Sequence, residues 1–285
     1  MRIAAALLCI AGPVWADDAA LLGYMGGQGC TFGVQSMAGA VAAGFDAVDI
    51  DMFITEALER GDASRQGLYT VLDESICTIR LPDVQSPTLV NSPEVMAIAP
   101  YISETEEIGG ERIVTEGCFL ENGQDLFKAM NDGDEDAGNA AYLRFLGAGI
   151  IAGELRYYAG SPLATPRGFQ LTVGKCDAAP NLEQVKETQP LIAEYFAEYV
   201  RRVGEVTVCG ERAGNLPQIA AEVLRLDLSE SGDGDDNGAT WGATWGAAWM
   251  WLEWDIIMRA AGWYDDVSAN NRGTPRPPLC HFPDQ

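Results

Sequence analysis

Apolar residues recur at helical spacing in two stretches of the chain that run in register with each other. Ile50, Phe53, Ile54, Ala57 and Leu58 mark one buried helical face; Tyr142, Phe145, Leu146, Gly149 and Ile150 mark another. Gly61 and Gly153 close the two stretches, and the offset between them is a constant 92 residues. Asp46 precedes the first, where a carboxylate caps free amides. A small-residue helix comes before each of them, Val34 to Ala43 and Gln124 to Met130. Runs rich in β-formers follow: Gly67 to Leu72 and Ile76 to Leu81 read as a hairpin across Asp73-Glu74-Ser75. In the second stretch, Leu155 to Tyr158 and Gly168 to Val173 take that place. Between them, Pro82 to Glu116 reads as a linker with a short helix near Pro93, and Pro190 to Val203 as a longer amphipathic helix starting at its proline.

This order predicts a mainly helical α+β fold built from repeated helix-helix-hairpin modules: residues 17–100, residues 101–204 with the linking helix, and residues 205–285. The third segment departs from the other two. Gly262 follows Trp254 by the spacing that separates Gly61 from Phe53, yet Asp255 and Arg259 stand where the other copies are apolar.

Ahead of the patterned chain, Met1-Arg2, the apolar run from Ile3 to Ala11 and Ala16 before Asp17-Asp18 read as a secretory signal peptide over residues 1–16. Export changes the meaning of the cysteines. Six follow the leader, Cys30, Cys77, Cys118, Cys176, Cys209 and Cys280, an even number suited to three disulfides in an oxidising compartment, the periplasm or the exterior. The module pattern selects one pairing of the fifteen: Cys30 with Cys77, Cys118 with Cys176, Cys209 with Cys280. A zinc site lacks its ligand spacing, because the cysteines are dispersed and His281 is the single histidine.

The formal net charge of −24 argues against binding a phosphate backbone. After the leader no apolar run reaches the ~20 residues of a membrane span.

Candidate chemistry is sparse. One histidine, beside Cys280, gives no Ser-His-Asp or Cys-His arrangement, and no phosphate loop, dinucleotide fingerprint or nucleophile elbow occurs, so no catalytic residue and no cofactor is assigned. Asp233-Gly-Asp235-Asp-Asn237-Gly238 begins like a calcium loop but has Thr244 where the distal Glu belongs, so no metal is assigned either. The conspicuous feature is a tetrapeptide repeat that sets Trp241, Trp245 and Trp249 four residues apart. On a helix these stack on one side, Trp241 more exposed, Trp249 and Trp254 buried. Trp241 and Trp245 are the candidate binding residues. The sequence thus points to an exported, disulfide-stabilised binding module for another envelope protein or a glycan. The alternative is a carboxylate-based hydrolase of envelope polysaccharide with tryptophans as its sugar platform.

Overall fold

A computed structural model describes residues 16–283 apart from 109, 159–167, 181, 212–213 and 227–248. Residues 1–15, where a leader is expected, Trp241, Trp245 and the loop at 233–238 lie outside the described residues.

The chain begins with α1 (Ala16–Gly26), β1 (Thr31–Phe32), α2 (Val34–Ala42) and α3 (Ala47–Arg60), then β2 (Ala63–Gln66) and β3 (Tyr69–Leu72). Asp46 caps α3 by accepting from the Val48 N–H, and Gly61 ends it in the left-handed conformation at φ 79°. The three strands form an antiparallel sheet in the order β1-β3-β2. The hairpin differs from the expected one: Tyr69–Leu72 pairs backwards with Ala63–Gln66, and Ile76–Leu81 forms no strand. Asp73 is the reason. Its side chain accepts from the Ser75 N–H and its carbonyl from the Ile76 and Cys77 N–H groups, coiling the chain at once into a turn. Cys77 is then tied to Cys30, and the Arg80 N–H donates to Gly26 O.

The stretch expected as a linker holds more structure than that. After α4 (Pro93–Ala97) come β4 (Tyr101–Ile108) and β5 (Glu111–Phe119), a long antiparallel ribbon paired from Tyr101–Cys118 to Ile108–Glu111. Two β-rich runs around Gly109-Gly110 are a hairpin signal in the sequence, obscured by the density of glutamates. Those charges suit strands with exposed edges.

Next come α5 (Gly123–Met130), α6 (Glu135–Ala152), β6 (Leu155–Tyr158) and β7 (Gly168–Leu171), giving a sheet ordered β4-β5-β7-β6. Asp134 caps α6 through the Asp136 and Ala137 N–H groups, and Gly153 closes it at φ 73°. Phe145, Leu146, Gly149 and Ile150 are buried as their spacing requires, while Tyr142 is half-buried.

The linking helix is two helices, α7 (Leu182–Glu194) and α8 (Phe196–Val206), with Pro190 inside the first rather than at its start. The turn ahead of Pro190 is fixed by burial of Leu182 and Val185, and Val185 O accepts from both Thr188 Oγ1 and Arg156 Nη1. The chain closes with α9 (Leu216–Val223), α10 (Met250–Ala260), β8 (Tyr264–Asp265) and β9 (Thr274–Pro275).

Three disulfides join Cys30 to Cys77, Cys118 to Cys176 and Cys209 to Cys280, the pairs that the bracketing selects. Two cores result. One gathers Leu21, Phe32, Ile50, Phe53 and Leu72 around the first disulfide; the other runs from Val90 to Leu279. Within the larger core α6 and α10 lie so close that a Cβ on Gly147 would sit 2.8 Å from the Ala260 Cβ, which is why a glycine stands there. Among the described residues no helix is long and apolar enough to cross a membrane.

Candidate functional site

Helix α10 carries the densest chemistry of the described residues. Residues two apart on a helix point to nearly opposite sides, so Glu253 and Asp255 leave α10 in different directions, with Trp254 between them. All three are fully buried.

Glu253 reaches β6. Its Oε1 accepts from Arg156 Nε at 2.8 Å and from the Tyr157 N–H at 2.8 Å, and its Oε2 from Arg156 Nη2 at 3.0 Å. The remaining Arg156 nitrogen, Nη1, donates to Val185 O and to Gln189 Oε1. The result is a two-pronged ion pair with its polar atoms satisfied, tying α10, β6 and α7 together.

Asp255 points the other way, to the β8–β9 hairpin. Its Oδ1 accepts from the Tyr264 hydroxyl at 3.0 Å, and its Oδ2 from Arg272 Nη2 at 2.8 Å and from Arg259 Nη2. One carboxylate therefore faces two guanidinium groups. Burial pushes the Tyr264 phenol well above its ordinary value, and the Asp255 charge adds to the rise. Tyr199, buried with its ring 4.4 Å from that of Trp254, is raised in the same way. Burial lowers the Arg259 guanidinium, and Asp255 opposes that shift.

These shifts have a consequence at high pH. Burial also brings Tyr142 up to about 12, and burial with the hydrogen bond to Asp265 brings Tyr69 up to about 12. Unfolded tyrosine loses its proton near pH ~10. The folded chain thus holds protons that the unfolded chain releases, and stability present below pH ~10 falls as pH rises beyond it. In an alkaline titration the phenolate absorbance of these four is expected only together with loss of the circular-dichroism signal. All nine tyrosines ionising together with the fold intact would contradict it.

Beside Asp255 lies a cleft of about 740 Å³ lined by residues 210–211 and 214–217, by α10 and by the loop 270–275. Trp251, Asp255, Tyr264, Asn270, Asn271 and Arg272 line it, with Glu211 on the opposite wall. The loop is fixed from several sides: the Ala269 N–H donates to Asp136 Oδ1, the Gly273 N–H to Asn271 Oδ1, and Tyr69 OH to Asp265 Oδ2 at 2.5 Å. Gly273, at φ 88°, has no room for a Cβ, which would meet Val267 at 2.6 Å.

An aromatic strip leads to the cleft. Phe169 and Tyr157 lie 5.0 Å apart between centroids, Tyr157 and Trp249 5.4 Å, and Trp249 and Trp251 6.2 Å. All four are half-buried, and the Arg272 guanidinium ends the run 5.8 Å from the Trp251 centroid. Trp249, expected buried, is therefore only partly so, since it stands at the N-cap of α10 and touches its neighbours along one flank. Trp254 is fully buried and donates Nε1–H to Ile192 O at 3.0 Å.

The residues missed in the sequence are Glu253, Asp255, Arg156, Tyr264 and Arg272. Two charges within a mostly apolar helix were the signal for the first two. Arg156 and Arg272 gave none, lying 97 and 17 residues from their partners. A smaller crevice of about 310 Å³ lies between Cys30–Cys77 and His281, where Arg201 and Glu74 stand 3.6 Å apart. Among the described residues no group of three or more His, Cys, Asp or Glu is placed to hold a metal ion. Set against known protein families, curated proteins and solved structures, the chain matches none of them.

Proposed function

We propose that the protein is exported to the periplasm or the exterior and acts by binding an oligosaccharide along the aromatic strip that ends in the α10 cleft. The strip carries this reading. Partly exposed rings in series, tilted to one another by 32° to 61°, offer apolar surface to successive sugar rings, and Asn270, Asn271 and Arg272 supply hydrogen bonds at one end. Trp241 and Trp245, a few residues before Trp249, are proposed to extend the platform. Three disulfides suit an oxidising compartment.

We further infer that residues 17–100, 101–204 and 205–285 are copies of one module. Several coincidences support this. Gly61, Gly153 and Gly262 all take the left-handed conformation after a helix, and each stands two residues before a strand, at Ala63, Leu155 and Tyr264. Those three residues pair with Leu72, Leu171 and Pro275, and Cys77, Cys176 and Cys280 each follow five residues later. In that alignment Asp255 takes the place of Ile54 and Leu146, both buried. A charge at a core position of the scaffold, in the one copy that has the cleft, argues for specialisation of that copy.

Hydrolysis is less well supported than binding. Of the two carboxylates lining the cleft, Asp255 has both oxygens engaged by three donors.

Trp251→Ala tests the proposal. Because its ring packs only partly against the core, the change should lower unfolding free energy by about 1–2 kcal/mol, less than loss of a fully enclosed indole, yet weaken glycan binding by about tenfold or more. Unaltered glycan affinity in that variant would remove the strip from the binding site.

A further inference from the structure

Resting on the oligosaccharide reading, we infer that the sugar seated in the cleft carries a carboxylate, as a uronic acid does, and that Arg272 pairs with it. Asp255 is fully buried and holds one negative charge against the two positive charges of Arg259 and Arg272. The cluster keeps one positive charge in excess, inside a chain whose formal net charge is −24. The two arginines differ in where they stand. Arg259 is largely enclosed, its side chain 14% exposed, whereas that of Arg272 is 52% exposed and lines the cleft.

Only Nη2 of Arg272 is engaged among the described residues, and a guanidinium has five N–H donors in a planar fork that matches a carboxylate. Its guanidinium lies over the face of Trp251, 5.8 Å from the ring centroid, so a sugar that touches the exposed part of that ring comes within reach of the charge. Asp255 holds the fork from behind, and Tyr264 holds Asp255. Glu211, across the cleft, suits hydroxyl donors and opposes a second anionic group. The strongly acidic chain repels a ligand in proportion to its charge, so one carboxylate per bound sugar is favoured over a phosphate dianion.

Binding is tested on an array of immobilised neutral oligosaccharides beside oligosaccharides of the same length that carry a single uronic acid, probed with the complete disulfide-bonded protein and with Arg272→Gln and Arg272→Lys. The uronate members should bind at least about tenfold more tightly than the neutral ones. Arg272→Gln should erase that preference, bringing uronate binding down to the level the same variant shows for neutral members, and Arg272→Lys should keep part of it. Melting temperatures measured alongside show whether each variant folds. Should Arg272→Gln not fold, the wild type bound to the array and challenged with free galacturonate and free galactose decides, since only the acidic sugar should compete. Binding confined to neutral members, or uronate preference surviving in folded Arg272→Gln, overturns the carboxylate inference and leaves the oligosaccharide reading standing. No binding to any member overturns both.

Discussion

Glu253→Ala is expected to destabilise the fold by about 3–5 kcal/mol, because it strands the Arg156 guanidinium, side chain 3% exposed, without its counter-charge. Arg156→Met should cost a comparable amount, leaving Glu253 with the Tyr157 N–H alone. The informative variant is the double one. With Arg156→Met and Glu253→Leu together no buried charge remains unpaired, and apolar replacements of similar volume often restore or exceed the original stability. Urea unfolding of the four proteins forms a double-mutant cycle, and the double variant should be more stable than either single one. Additive losses would mean that the two side chains act independently, against their two-pronged geometry.

Trp254→Ala is the second large effect, about 3–5 kcal/mol from lost burial and the cavity left behind. The indole is fully enclosed, stacks on Tyr199 and donates to Ile192 O. Removing it leaves that carbonyl without its side-chain donor as well as opening a void. Denaturant midpoints of Trp254→Ala and Trp251→Ala should therefore diverge widely, although the two residues are three apart on one helix. Equal midpoints would show that the face assigned to the core is not the one holding it.

The local rules were readable in the chain and the distant pairings were not. A helix spanning Ala47–Arg60 follows from apolar spacing, and its ends from Asp46 and Gly61, because caps and left-handed glycines act within a few residues. The same holds for Glu135–Ala152, Asp134 and Gly153. Strand β2, Ala-Ser-Arg-Gln, has little intrinsic preference for a sheet; it is a strand because Tyr69–Leu72 lies against it. The site suffered most from this locality. Asp255 and Arg259 stood out as charges in an apolar face, but nothing near them in sequence names Arg272 or Tyr264 as the groups that make Asp255 tolerable in the interior.

The division of the apolar interior into two cores bears on how the molecule opens. The cluster around Cys30–Cys77 has an apolar core of its own, the kind of contiguous unit that can open separately, and the residues lining the cleft lie outside it. Such units exchange backbone protons at separate free energies, so the amino-terminal third can unfold and reclose while the larger part stays shut. Tyr69 OH on Asp265 joins the smaller unit to the hairpin under the cleft. A hydrogen bond to a charged group contributes about 1.5–3 kcal/mol. Through this bond, closure of the first unit draws on the hairpin that borders the cleft.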